Sequence, residues 1–125
     1  MKLPNMLVIL SAARPHHSEA EEEAAFNALK KSISLPNAEC LGHWRGSEER
    51  SLLVQCEAFV DVGRLVARAK EFQQEAILLV DANDNAFIYW INTRVMESKG
   101  PMYKSKDVPS SEAHTFFNGY YYYTL

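Results

Sequence analysis

The chain lacks most of what marks a specialised small protein. It has two cysteines, Cys40 and Cys56, with no metal-type spacing between them. No zinc pattern follows, and both read as reduced core thiols of a cytoplasmic protein. It has no apolar run of 18 residues, so nothing in it reads as a membrane span. The early run "MLVIL" has five residues, too short for a signal core, and reads as a first strand. Neither sign of charge dominates: 13 Lys and Arg face 16 Asp and Glu, for a net charge of −3. Lys30, Lys31, Arg64, Arg68, Lys70, Lys99, Lys104 and Lys106 are interleaved with acids, which speaks against a nucleic-acid footprint. There is no Gly-rich phosphate loop and no nucleophile elbow. His16-His17 has no further ligand type near it and reads as exposed polar residues before a helix cap, not as a metal site.

What is present is an ordinary globular composition, 47% hydrophobic and 23% charged over 125 residues, enough for one domain with its own core. "MLVILSA" (6–12) reads as a buried strand. A helix follows over 17–33, with Ser18 as N-cap and Glu21 completing a capping box. Its apolar stripe is Ala25, Phe26, Leu29 and Ile33. Strands are expected at 38–46 and 50–59, joined by a turn around "GSEE". A second helix is expected over 60–75, with Val62, Leu65, Val66, Ala69 and Phe72 as its stripe. "AILLV" (76–80) and "AFIYWI" (86–91) then form a hairpin about the Asn/Asp-rich "DANDN". This order predicts an α+β, ferredoxin-like fold: a four-stranded antiparallel sheet with two helices on one face. Residues 92–115 hold Gly100-Pro101 and Pro109 and show little periodicity, so they read as a mobile loop. The end "TFFNGYYYYTL" predicts an extra C-terminal hairpin or strand, an aromatic strand over 116–125. Its consecutive aromatics cannot share one face, which points to a second subunit covering one side.

Three stretches carry candidate chemistry. "SAAR" (11–14) ends the first strand, where ligand groups often gather; an ordinary strand end with a solvated Arg14 is the plainer reading. "GHWRG" (42–46) sets Trp44 and Arg45 between glycines that let a ligand approach the backbone; a strand terminus with a turn accounts for it equally. In "ARAKEFQQEAILLV" (67–80), Glu71 and Glu75 fall at a helix C-terminus, where the partial negative charge opposes acids by roughly 0.3–1 kcal/mol each. A cationic ligand or an interfacial base would compensate such an acid.

The same stretches, with "VILSAAR", "LGHWRG" and "KDVPSSEAHTFFNGY", resemble the phage-encoded S-adenosylmethionine lyases, formerly called hydrolases. The resemblance covers most of the chain in the same order. It implies a ferredoxin-like, PII-like fold assembled as a trimer, with sites between subunits. It implies S-adenosylmethionine as substrate, 5′-methylthioadenosine and homoserine lactone as products, and depletion of the host's methyl donor as a counter to restriction. No cofactor, metal, nucleic acid or membrane is implied. Glu71 matches the family's key acid. Ser11, Ala12 and Arg14 match its strand-one motif, and Gly42, Trp44 and Arg45 its Gly-x-aromatic-Arg. An acid often follows that Arg in relatives; Gly46 stands here, with Glu48 or Glu49 as replacements. Trp44, Tyr89 and Tyr103 are the aromatics expected at adenine. The alternative is a non-catalytic, PII-like trimeric binder of S-adenosylmethionine or an adenine nucleotide; a plain interaction protein using the aromatic tail is a third reading.

Overall fold

The computed structural model describes residues 6–14, 16–44, 46–111 and 113–125. In chain order the elements are β1 (Met6–Ser11), α1 (Glu19–Ser32), β2 (Asn37–Trp44), β3 (Ser47–Cys56), α2 (Phe59–Glu71), β4 (Ala76–Val80), β5 (Asn85–Trp90), β6 (Met96–Pro101), β7 (Tyr103–Ser105), β8 (Ala113–Phe117) and β9 (Tyr120–Tyr123). All nine strands join one sheet in the order β6-β5-β4-β1-β3-β2-β8-β9-β7, and every pairing is antiparallel.

This overturns the ferredoxin-like, PII-like expectation of a four-stranded sheet with an extra hairpin: the sheet has nine strands and curls into a nearly closed barrel, with two helices among the described residues. Its two edge strands, β6 and β7, are separated in sequence by Met102 alone. Two Cα steps span at most about 7.6 Å, so at that corner the edges meet. Trp44 of β2 and Trp90 of β5 have three strands between them in the sheet, yet their rings touch edge-on with centroids 6.2 Å apart. The loop expected at 92–115 contains β6, β7 and the start of β8, with irregular chain at 92–95 and 106–111. Its strands escaped notice because "MESKGP" and "YKS" are mostly exposed, so no alternation of apolar and polar residues betrays them.

The helices sit on the outside of the barrel, α1 against β3 and α2 against β1, β3 and β4. The core lies between them and the sheet: Val8, Leu10, Leu52, Val54, Cys56, Ile77 and Leu79 from the strands meet Phe26, Leu29, Leu65 and Ala69 from the helices. The α1 cap is as expected. The Glu21 N–H donates to Ser18 Oγ at 3.1 Å, and the Ser18 N–H donates to Glu21 Oε1 at 3.1 Å. The Ser18 N–H, and after it the Ser18 hydroxyl, hold the Glu21 carboxyl below its usual range. Cys40 and Cys56 are buried and unbonded to each other. Burial pushes their thiols up to about 12 and about 11, so neither is a reactive thiolate.

The C-terminal hairpin turns at Asn118 (φ 53°) and Gly119 (φ 84°), the left-handed pair of a two-residue type I′ turn. Its aromatics find neighbours within the chain. Tyr121 meets Phe116 at 4.8 Å and Tyr123 tilts against Tyr103 at 5.8 Å. Lys104 Nζ lies 4.0 Å from the centre of the Tyr120 ring.

Candidate functional site

Side chains alternate across a strand, so each strand that gives the core one set of residues gives the barrel interior the other. On β1, β3 and β4 the interior set holds Ser11, Ser47, Glu49, Ser51 and Ala76, and β2 and β8 add Gly42, Ala113 and Thr115. Beside Ile9, Leu78 and Ile88, which also line the cavity, these small or polar groups leave space unfilled. The result is a cavity of about 750 Å3, within the range of small-molecule sites. Trp44, Tyr122 and Tyr123 line it, as do Glu49, Glu75, Lys70 and Lys99.

The end of α2 ties this cavity to the first strand. The helix was expected to run to residue 75, but it stops at Glu71 with Phe72 as C-cap. Gln73 adopts a left-handed φ of 56°. Its N–H donates to the Lys70 carbonyl at 3.1 Å and that of Gln74 to the Ala69 carbonyl at 2.9 Å, a Schellman closure made without glycine. The turn buries Gln74, whose Nε2 donates to the Ala13 carbonyl at 2.8 Å. Ser11 Oγ accepts from the Ala13 N–H at 3.0 Å and donates to the Arg50 carbonyl at 2.9 Å. Three stretches singled out in the sequence, "SAAR", the helix end and the β2–β3 hairpin, thus meet at one end of the barrel.

Of the expected site residues, Ser11 and Trp44 line the cavity. Ala12 is buried in the core and Arg14 is exposed. Tyr89 pairs with Ile77 on the helix-facing side and packs on the core, while Tyr103 lies on Tyr123; neither lines the cavity. Arg45 lies outside the described residues. Glu71 is exposed, outside the cavity, and accepts from Arg68 Nη1 at 2.9 Å. That pair lies one helical turn apart and offsets the unfavourable helix field. Glu75 is past the helix and lines the cavity.

Glu49 is the acid that sequence reasoning left undecided. The turn expected over "GSEE" is instead the first half of β3, and the register Gly42↔Glu49 points this side chain inward. Glu48, paired with His43, points out. Burial pushes the Glu49 carboxyl above the ordinary 4.5, with Glu22 adding a smaller like-charge effect. Nothing among the described residues pulls it down. The unfolded chain ionises near 4.5, so ionising the folded chain costs stability as pH rises above that value. Glu49→Gln is therefore expected to raise Tm at pH 7, and the gain to vanish toward pH 4. Thermal melts of both proteins across that range check it; a gain that grows on acidification would contradict it.

A family model for S-adenosylmethionine lyases matches residues 8–125. The chain belongs to the S-adenosylmethionine lyase family. The match spans β1 from Val8, the cavity and the aromatic hairpin, so every element of this lyase-family site falls inside it. No curated protein matches the chain. Among the described residues no helix is long and apolar enough to cross a membrane. The lyase-family cavity also draws on aromatics that sequence reasoning passed over, Tyr122 and Tyr123. Their signal was the Asn118-Gly119 turn: once the hairpin register is set there, Tyr122 falls opposite Thr115 on the inner face.

Proposed function

We propose that the protein is an S-adenosylmethionine lyase that closes its substrate on itself. A carboxylate oxygen of the methionine moiety attacks its own γ-carbon, and the carbon–sulfur bond breaks. The electron pair goes to sulfur, and the positive sulfonium leaves as the neutral thioether 5′-methylthioadenosine. The other product is homoserine lactone. No water, metal or cofactor enters this balance, and no proton leaves carbon.

Such a reaction asks of the protein only that it hold the chain folded back and exclude water. Holding reacting groups in place is worth up to roughly 7–11 kcal/mol. Family membership carries this reading. The cavity supports it by offering aromatic walls together with acids and bases for a substrate bearing ammonium, sulfonium and carboxylate. Ser11 and Trp44 act from inside the cavity. Glu71 acts on the substrate ammonium from outside it, in a site completed by a neighbouring subunit of a trimer; its exposure leaves it available for that. Arg14, Arg45 and Tyr103 are assigned to the same site by the resemblance alone. In a host cytoplasm this activity depletes the methyl donor used in restriction–modification.

The test is to incubate the purified protein with S-adenosylmethionine and follow methylthioadenosine and homoserine lactone by chromatography. Both products in equal amounts are expected. Tight binding in calorimetry with no product would make the protein a binder instead, and neither binding nor product would remove the ligand altogether.

A further inference from the structure

We infer that a slot over Gly42, on the inner wall of the barrel, seats the adenine ring of the bound ligand, with the Glu49 carboxyl reading its 6-amino group. The inference rests on the reading that an adenosyl compound is the ligand, and it adds the residue that selects the base.

The slot follows from register. Gly42 pairs with Glu49 on one side and with Thr115 on the other, and Thr115 pairs with Tyr122. One row across β3, β2, β8 and β9 therefore presents a carboxyl, a bare backbone, a hydroxyl and a phenol to the cavity, and all four residues line it. Trp44, two residues along β2, stands beside this row on the same face. Gly42 keeps this stretch of wall low: a Cβ there would crowd Ser51 Oγ at 3.2 Å and stand 3.7 Å from the Glu49 carbonyl oxygen, so a larger residue would push side chains toward the cavity. The outcome is a flat floor with polar groups at its edges and aromatic rings near its ends.

Adenine has the complementary shape, with apolar faces and a polar rim. Its 6-amino group donates while the adjacent ring nitrogen N7 accepts, an edge that an oxo group in place of the amine turns into two acceptors. A carboxylic acid offers an acceptor and a donor side by side at the same spacing. Among the described residues no donor or cation engages the Glu49 carboxylate, and its partial burial shifts it toward the donor-bearing form. A buried group built to hydrogen-bond a ligand amine discriminates strongly against a ligand lacking it, because its own atoms are then left unpaired.

The test is calorimetry of the full chain with 5′-methylthioadenosine and with 5′-methylthioinosine, which carries an oxo group in place of the amine. Neither bears an ammonium or a sulfonium. The wild-type protein is expected to prefer the amino compound at least tenfold. Glu49→Leu is expected to weaken methylthioadenosine at least tenfold and to erase the preference. Glu49→Gln, whose amide offers the same acceptor and donor, is expected to keep both within about fivefold. Gly42→Val is expected to block both ligands, with circular dichroism confirming the fold of each variant. If Glu49→Leu binds methylthioadenosine as the wild type does, the slot is wrong. If Glu49→Gln fails as badly as Glu49→Leu, Glu49 acts by charge and the assignment falls. In either case, turnover of S-adenosylmethionine by the wild type leaves the lyase reading standing. A wild type that binds no adenosyl compound and turns over none overturns both.

Discussion

Glu71→Gln is expected to lose roughly one to two orders of magnitude in kcat/KM for S-adenosylmethionine, while folding and assembling like the wild type. The substitution keeps shape and hydrogen-bonding reach and removes only the charge. Hydrogen bonds to charged groups contribute about 1.5–3 kcal/mol, and each 1.4 kcal/mol in a barrier is a factor of ten. The structural cost is small. Glu71 is exposed and its pairing with Arg68 is a surface one, the kind that contributes about 0–1 kcal/mol. Removing an acid from the helix C-terminus returns a similar amount. A loss of activity with unchanged Tm and unchanged oligomer in light scattering would therefore report on the substrate. The measurement is product formation by chromatography at several substrate concentrations; wild-type turnover would take Glu71 out of the site.

How legible all this was in the sequence depends on what each segment buries. The α1 cap at Ser18 and Glu21, the stripe Phe26, Leu29 and Ile33, and the core strands around Val8, Leu52 and Leu79 were readable because each obeys a period set by burial on one side. The barrel was not. Closing it takes the polar edge strands β6 and β7, whose pairing is held by backbone bonds that leave no mark on side-chain pattern. The α2 end was misplaced for a related reason. "EFQQEA" continues the helix by propensity, and the stop is a left-handed Gln73 where glycine is the usual signal.

The site shows the same division. "SAAR" and Trp44 were found because they interrupt strands, and the structure brings Ser11 and Trp44 to one cavity. The sequence leaves Glu48 and Glu49 as equal candidates because "GSEE" reads as one turn; of those four residues only Gly46, with φ of 82°, lies outside β3. Tyr89 was chosen for its ring alone, and a count of alternation from Ile77↔Tyr89 sets it on the helix side. An inner barrel face is hard to recognise in a sequence because a cavity is a lack of bulk: Gly42, Ser47, Ser51, Ala76 and Ala113 are each unremarkable until the register aligns them.

That separation of faces makes a second strong prediction, for Leu52→Ala. Leu52 is 0% exposed and lies between Leu10 of β1 and Glu39 of β2 in register, on the side packed by the helices. Truncating a buried leucine removes its transfer free energy and leaves a cavity, at a cost of roughly 2–5 kcal/mol. For a domain of this length that is on the order of 10 °C in Tm. The neighbouring Ser51 faces the opposite way, into the barrel. The affinity of Leu52→Ala for methylthioadenosine at 15 °C, well below its melting point, is therefore expected to stay within about twofold of the wild type. Urea unfolding and calorimetry on the same sample check the two halves together. A stability loss below about 1 kcal/mol would mean that Leu52 is not packed between sheet and helices. Affinity that falls with stability would mean that the outer core sets the shape of the inner wall, so that the two faces of β3 act as one structure.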